Sequence, residues 1–185
     1  MFGRKSLLAS IIIFSILTVG IINPVLAHHP FGMGESSELS TLNGLTSGIG
    51  HPILGPDHLL FILAIGFVGL RNPKKWVLPL LVIGISGSGL VQWIPLPDSL
   101  APFAEALVSV SLAIEGLIGL NFISTKWLLP MFALHGYLLG STIVGAEPTP
   151  LIGYFLGLII SQAGLLIVVT KTSQKIINVL GNNGR

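Results

Sequence analysis

The stretch HPILGPDH, residues 51–58, places three side chains that can bind a metal within eight residues. They are His51, Asp57 and His58, and the apolar run LLFILAIGFVGL follows directly. The two prolines and the glycine between them predict a bent or broken backbone, because proline interrupts a helix and glycine adopts conformations that other residues avoid. Charged and imidazole side chains are costly beside hydrocarbon, so their presence here indicates a functional site.

The composition is that of a membrane protein. Of the 185 residues, 51% are hydrophobic and only 9% are charged, whereas a soluble domain carries about 25% charged residues. The sequence contains no cysteine, which excludes disulfides and thiolate metal sites. A formal charge of +2, scattered along the chain, gives no indication of nucleic-acid binding.

Residues 1–27 have the pattern of a signal peptide. Arg4 and Lys5 form a positive start, an apolar run follows, and Ala27 is a small residue suited to signal peptidase. We therefore predict cleavage after Ala27. The alternative is an uncleaved first membrane helix, because the apolar run is long for a signal peptide.

Residues 28–41 are predicted to form an external polar lead-in. The mature chain would begin with His28 and His29, and an α-amine beside imidazoles can capture a divalent metal. Polar, glycine-rich termini are more often simply disordered, which is the alternative for this segment.

Residues 42–170 predict an all-α, polytopic transmembrane bundle, followed by a cytoplasmic tail over residues 171–185. Five hydrophobic segments are each close to the roughly 20 residues that a membrane helix needs, or longer. They lie at 42–70, 76–93, 101–123, 127–145 and 150–170. The first is the longest and holds the HPILGPDH motif, so we expect it to be broken there and to count as one or two helices. The prediction is thus five to six transmembrane segments.

Basic residues in the loops predict the orientation. Lysine or arginine follows the first, third and fifth segments, whereas the loops IPLPDSLAP and GAEPTP contain neither. Basic loops stay cytoplasmic, so we expect an inner-membrane protein with the mature amino terminus outside and the carboxyl terminus inside. The motif then lies in the outer half of the membrane.

Further polar side chains lie within the segments. His135 is in the middle of the fourth segment, and Glu105 and Glu115 are on the third. Ten residues of helix separate the two glutamates by about 80° around the axis, so both can border one interior face and an ion pathway. The alternatives are that His135 is hydrogen-bonded to a neighbouring helix and that Glu105 is solvated near the outer interface.

The motif itself also has a structural alternative. Asp57 follows a proline and precedes an apolar run, where a helix N-cap belongs, and His51 and His58 could be satisfied core residues. Imidazole nitrogen and carboxylate oxygen together suit nickel, cobalt, copper or zinc. The close spacing favours a metal site in which Asp57 is a ligand or orients a histidine.

Small residues recur four positions apart and predict close contacts between membrane helices. The pairs are Gly84 and Ser88, Gly136 and Gly140, and Gly153 and Gly157.

The sequence resembles the HupE/UreJ family, membrane proteins associated with nickel hydrogenases and ureases. The signal peptide, the histidine-containing external start and the stretch GIGHPILGPDHLLFILAIG carry the resemblance, and His-x5-Asp-His is the family's hallmark. The family's second motif is close to Phe-His-Gly-x-Ala-His-Gly-x-Glu, and its counterpart here is LHGYLLGST. His135, Gly136 and Gly140 match this pattern, whereas Leu139 replaces the second histidine and Thr142 the acidic residue.

The resemblance implies uptake of nickel, or cobalt, to supply enzymes such as hydrogenase or urease. The ion would be a transported substrate rather than a tightly bound cofactor, with the three motif side chains and His135 as its ligands. The sequence has no Walker-type GxxxxGK[ST] loop, so transport would be facilitated, ion-coupled or served by a separate ATPase. We expect no enzymatic activity. The alternatives are an intramembrane zinc enzyme, although no HExxH occurs, and a non-transporting accessory protein for metalloenzyme maturation.

The orientation can be tested with reporter fusions. A reporter placed after Arg185 should be on the cytoplasmic side, because the tail is basic. One placed within residues 95–101 should be external, because that loop contains no lysine or arginine. Paired fusions to alkaline phosphatase and to a fluorescent protein, which are active on opposite sides, measure this. The opposite pattern would reverse the orientation.

Overall fold

The computed structural model describes residues 40–67 and 73–182, and it is helical without strands over these residues. The all-α class predicted from the sequence is therefore confirmed. The predicted signal peptide, together with His28 and His29, lies outside the described residues.

The described residues form six α-helices joined by short connections. Short 3-10 turns at Asp98–Leu100 and Thr125–Trp127 precede the fourth and fifth helices. The helices are α1 Thr41–Leu54, α2 Pro56–Phe67, α3 Pro73–Trp93, α4 Ala101–Gly119, α5 Leu128–Ser141 and α6 Pro148–Asn182.

Within the described residues, three stretches are long and apolar enough to cross a membrane: Lys75–Trp93, Pro102–Gly119 and Pro148–Ser173. Together α1 and α2 make a fourth candidate, a broken span or re-entrant loop bent by 68°. The fourth hydrophobic segment yields only the 14 residues of α5, fewer than the roughly 20 that a straight crossing requires. The structure thus gives three to four candidate spans, and the expected number of five to six stays a prediction.

The break in the first segment lies at Gly55, as the motif predicted. The Gly55 N–H donates to the carbonyl of His51 at 2.9 Å and ends α1, and Pro56 then begins α2, where a missing N–H costs nothing. The φ of Gly55 is −76°, which any residue adopts. Space is tight here, because a Cβ would lie 2.9 Å from Cδ2 of His58 and 3.0 Å from the His51 carbonyl oxygen.

Pro52 lies inside α1 and removes one backbone hydrogen bond from that helix. The carbonyl left without its usual partner is that of Gly48, four residues earlier. The Ser161 hydroxyl on α6 donates to this oxygen at 3.2 Å. The proline therefore helps to tie α1 to α6 rather than kinking α1 freely.

The bundle is built from two tightly packed helix pairs, α1 with α6 and α3 with α5. In the first pair, a Cβ on Gly48 would overlap the carbonyl oxygen of Tyr154, and one on Gly157 would overlap that of Leu45. The backbones of α1 and α6 are therefore in direct contact. This is the role predicted for the small residues of α6.

The second pair is packed in the same way. A Cβ on Gly136 would overlap the carbonyl oxygen of Gly84, and one on Gly140 would overlap that of Ser88. The Ser88 hydroxyl donates to the Gly136 carbonyl at 2.6 Å, and the Gln92 amide donates to that of Gly140 at 2.9 Å. The small-residue pairs of α3 and α5 are thus confirmed as helix contacts.

A shared apolar core joins α2 and α4 to these pairs. Its largest buried members include Phe61 of α2, Leu112 of α4, Phe132 of α5 and Leu166 of α6. Because α2 follows the break and packs against α4 and α6, the two motif histidines, His51 and His58, lie inside the bundle.

We expect Gly157→Ala to lower the thermal unfolding temperature of the purified protein in detergent. The added methyl group would force α1 and α6 apart, and overpacking of this kind costs about 1–3 kcal/mol. Gly164→Ala on the same helix is the matched control, since a Cβ there meets nothing within 4 Å and alanine favours a helix over glycine by about 1 kcal/mol. Equal stability of the two variants would contradict the close α1–α6 contact.

Candidate functional site

Three histidines from three helices form a row inside the bundle. The ring centroids of His51 on α1 and His58 on α2 are 5.4 Å apart, with the rings nearly perpendicular at 81°. The rings of His58 and His135, which is on α5, are again 5.4 Å apart, at 82°. All three side chains are buried. The break at Gly55 and the packing of α2 against the pairs thus bring together side chains that are far apart in the sequence.

Two hydroxyl groups hold His51 from one side. Its Nδ1 lies 3.1 Å from the hydroxyl of Tyr154 and 3.3 Å from that of Thr142. The Tyr154 hydroxyl donates its single proton to the carbonyl of Leu139, so its oxygen can only accept a hydrogen bond from the imidazole. The contact with Tyr154 thus favours the tautomer in which Nδ1 of His51 carries the proton and Nε2 has the lone pair that a metal requires.

His135 is fixed in the same tautomer by a different partner. Its Nδ1 lies 3.1 Å from the carbonyl oxygen of Met131, which can only accept. Its ring stacks on Phe61 at a centroid distance of 3.7 Å and an angle of 14°. Nε2 is buried and has no hydrogen-bond partner among the described residues. A buried acceptor of this kind costs about 1–3 kcal/mol, so the position suits a ligand that it can bind.

Asp57 lies beside His58, the middle histidine of the row. Its Oδ2 is 3.8 Å from Nε2 of His58, and its side chain is 30% exposed. This distance is too long for a direct hydrogen bond but short enough for electrostatic attraction. Asp57 is the second residue of α2 rather than the residue before it, so the N-cap alternative is not supported.

A small cavity lies between His58 and His135. Its volume is about 10 Å³, which is about what one water molecule requires. Leu139, which stands where the family motif has its second histidine, is part of the cavity wall. The other lining residues are Ile62, Phe132, Gly136 and Gln162.

The row is a series of adjacent pairs rather than a single cluster. Within residues 40–67 and 73–182, no group of three or more His, Asp or Glu side chains has the spacing of one metal site. The arrangement therefore offers nitrogen donors one after another from the motif towards α5.

The two glutamates predicted to border an ion pathway are both on α4. Glu115 is 1% exposed, and neither of its carboxylate oxygens has a hydrogen-bond partner in the described part of the chain. It is not among the residues that line the cavity. The side chain of Glu105 is outside the described part of the structure. A pathway through these residues stays a prediction.

Sequence reasoning missed the hydroxyl contacts of His51. Tyr154 belongs to neither motif, and Thr142 is only a departure from the family's second motif. A packing signal for Tyr154 is present, because it lies between Gly153 and Gly157 in the sequence and so borders the face of α6 that these glycines turn towards α1.

Comparison with known proteins identifies the family. The model of the HupE / UreJ protein family matches residues 16–181, which is nearly the whole chain. No curated protein and no solved structure gives a significant match. The chain therefore belongs to the HupE/UreJ family, which is linked to nickel or cobalt uptake or to accessory functions for metalloenzymes.

Proposed function

We propose that this HupE/UreJ protein carries nickel ions, or cobalt ions, across the inner membrane into the cell. The main support is the buried histidine row. The Met131 carbonyl leaves Nε2 of His135 as the unprotonated nitrogen, and the Tyr154 hydroxyl favours the same tautomer of His51. Buried imidazole nitrogens without a proton are ligands for a divalent metal. Family membership supports the same reading independently.

The order of the side chains suggests how an ion would pass. Asp57, partly exposed beside His58, supplies the negative charge that attracts a hydrated cation. His51 and His58 then replace part of its water, and the ion moves to the neighbouring pair of His58 and His135. The cavity holds about one water, so the ion would be largely dehydrated there.

The donor set favours nickel or cobalt over copper(I), because it contains imidazole and carboxylate but no thiolate. Affinity alone would favour copper(II), so selectivity must come from geometry or from the availability of the metal. The missing ligands at Leu139 and Thr142 lower the affinity, and conduction requires binding weak enough for the ion to leave.

The proposal includes the placement of the protein. It comprises a signal peptide cleaved after Ala27, an external amino terminus, a bundle of five to six spans over residues 42–170 and a cytoplasmic tail from residue 171. The one-sided distribution of lysine and arginine supports this orientation. Proteins that mature hydrogenase or urease would receive the ion.

A second candidate is a non-transporting accessory protein, to which the family link applies equally. Such a protein would bind nickel without moving it. An accessory protein and a permease therefore differ in uptake by vesicles rather than in binding.

Nickel uptake should fall at least about tenfold in His51→Ala, His58→Ala and Asp57→Asn, because each removes a donor or the charge that attracts the ion. Loss of the negative charge from the first turn of α2 costs only about 0.3–1 kcal/mol, so Asp57→Asn should keep its normal level in the membrane. The measurement is uptake of radioactive nickel into vesicles, with cobalt, zinc and manganese as competitors.

Glu147→Gln is the control for the loss of a carboxylate, because Glu147 is exposed in the loop before α6. Its uptake should match that of the unmodified protein. Normal uptake in all three motif variants would make the motif purely structural. Transport of zinc or manganese but not of nickel would overturn the metal assignment.

Leu139→His should tighten nickel binding about tenfold and slow its release. Leu139 lines the cavity beside His58 and His135, so a histidine there adds a third imidazole to the same space. Calorimetry on the purified protein measures the affinity, and Leu138→His, one position away and not among the lining residues, is the control. Equal affinities in both variants would show that the cavity does not hold the ion.

A further inference from the structure

Gln162 on α6 is a buried polar residue that the fold does not explain. Its side chain is 1% exposed, and its Oε1 has no hydrogen-bond partner among the described residues. It lines the cavity between His58 and His135. A buried amide oxygen usually finds a donor, so this one is unusual in the bundle.

The packing role of a membrane glutamine is illustrated by Gln92. Its Nε2 donates to the carbonyl of Gly140 at 2.9 Å and so links α3 to α5. The Oε1 of Gln162 makes no comparable link in the described residues. It lies instead against Gly84, where an added Cβ would be 3.0 Å away from it. Interhelical hydrogen bonding therefore accounts for Gln92 but leaves the amide oxygen of Gln162 unexplained.

We propose that the amide of Gln162 is a ligand of the transported ion in this cavity, where its carbonyl oxygen joins the imidazoles of His58 and His135. This inference rests on the proposed function. Gln162 would supply a donor in place of those that are missing from the second family motif. An amide oxygen is a neutral ligand that divalent cations accept. Two nitrogens, one oxygen and one retained water would give the ion four donors.

The neutrality of this donor set has a consequence for transport. No described carboxylate lines the cavity, so the charge of the ion is not compensated there. An uncompensated charge in an apolar interior is unfavourable. The ion is therefore held weakly at this point and released easily, whereas an acid at position 162 would trap it.

Two substitutions separate these effects. Gln162→Leu removes the oxygen at similar volume, and Gln162→Glu replaces the amide with a carboxylate of the same shape. We expect Gln162→Leu to weaken nickel binding by the purified full-length protein about tenfold and to lower uptake. We expect Gln162→Glu to bind nickel about tenfold more tightly but to transport it more slowly, a split that a purely structural role does not produce.

Gln92→Leu is the matched control. It removes a glutamine that links helices, so it should lower thermal stability but leave the nickel affinity of the folded protein unchanged. X-ray absorption of the nickel-loaded protein adds a direct readout, because the unmodified protein should show one more oxygen neighbour than Gln162→Leu. Calorimetry and the same vesicle uptake assay provide the other measurements.

The outcomes distinguish this inference from the function on which it rests. If the unmodified protein neither binds nor carries nickel, the proposed function fails. The role of Gln162 alone is overturned by a different set of results. In that case the unmodified protein binds and carries nickel and His135→Ala loses binding, but Gln162→Leu keeps the original affinity and the original number of oxygen neighbours. Weaker binding in Gln162→Leu together with tighter binding in Gln162→Glu supports it.

Discussion

Direct contact between helix backbones is the constraint on which the rest of this structure depends. In lipid, helices gain little from burying apolar side chains against one another, so close approach of small residues has to supply the packing. Two helix pairs are packed in this way, α1 with α6 and α3 with α5. The histidines stand between these pairs, with His51 on one and His135 on the other.

This arrangement explains how a short motif becomes a buried site. His51 is held by Tyr154 of its partner helix α6 and by Thr142, which follows α5. His58 follows the break and reaches across to His135. The site therefore depends on both pairs at once, although no residue of the motif takes part in the glycine contacts. A change in the packing of either pair would therefore change the separation of the three imidazole rings.

Much of the fold was predictable because its signals are local. The break at Gly55 follows from the glycine and prolines around it, and the glycine contacts follow from their spacing. The length of α5 was not predictable, since the fourth hydrophobic segment is long enough to span the membrane but only Leu128–Ser141 is helical within it. Hydrophobicity reports whether a segment suits lipid, but not where its helix begins and ends.

For the candidate site, the residue types were predictable and their partners were not. His51 and His58 could be grouped from their spacing, whereas their proximity to His135 depends on how α2 packs against α5. The tautomers of His51 and His135 depend on Tyr154 and Met131, which carry no metal-binding signal. Gln162 could not be told apart from Gln92 by sequence, because both are single polar residues in apolar helices. Only the neighbours of each amide distinguish them.

The bend between α1 and α2 also has an electrostatic consequence. A helix dipole is negative at its carboxyl end and positive at its amino end, and the two ends meet at Gly55. The last carbonyl groups of α1 thus favour a cation beside His51, while the amino end of α2 would repel it. Asp57, in the first turn of α2, offsets that positive end. The carbonyl end of α1 and the carboxylate of Asp57 together therefore give the break a local electrostatic field that attracts cations and disfavours anions.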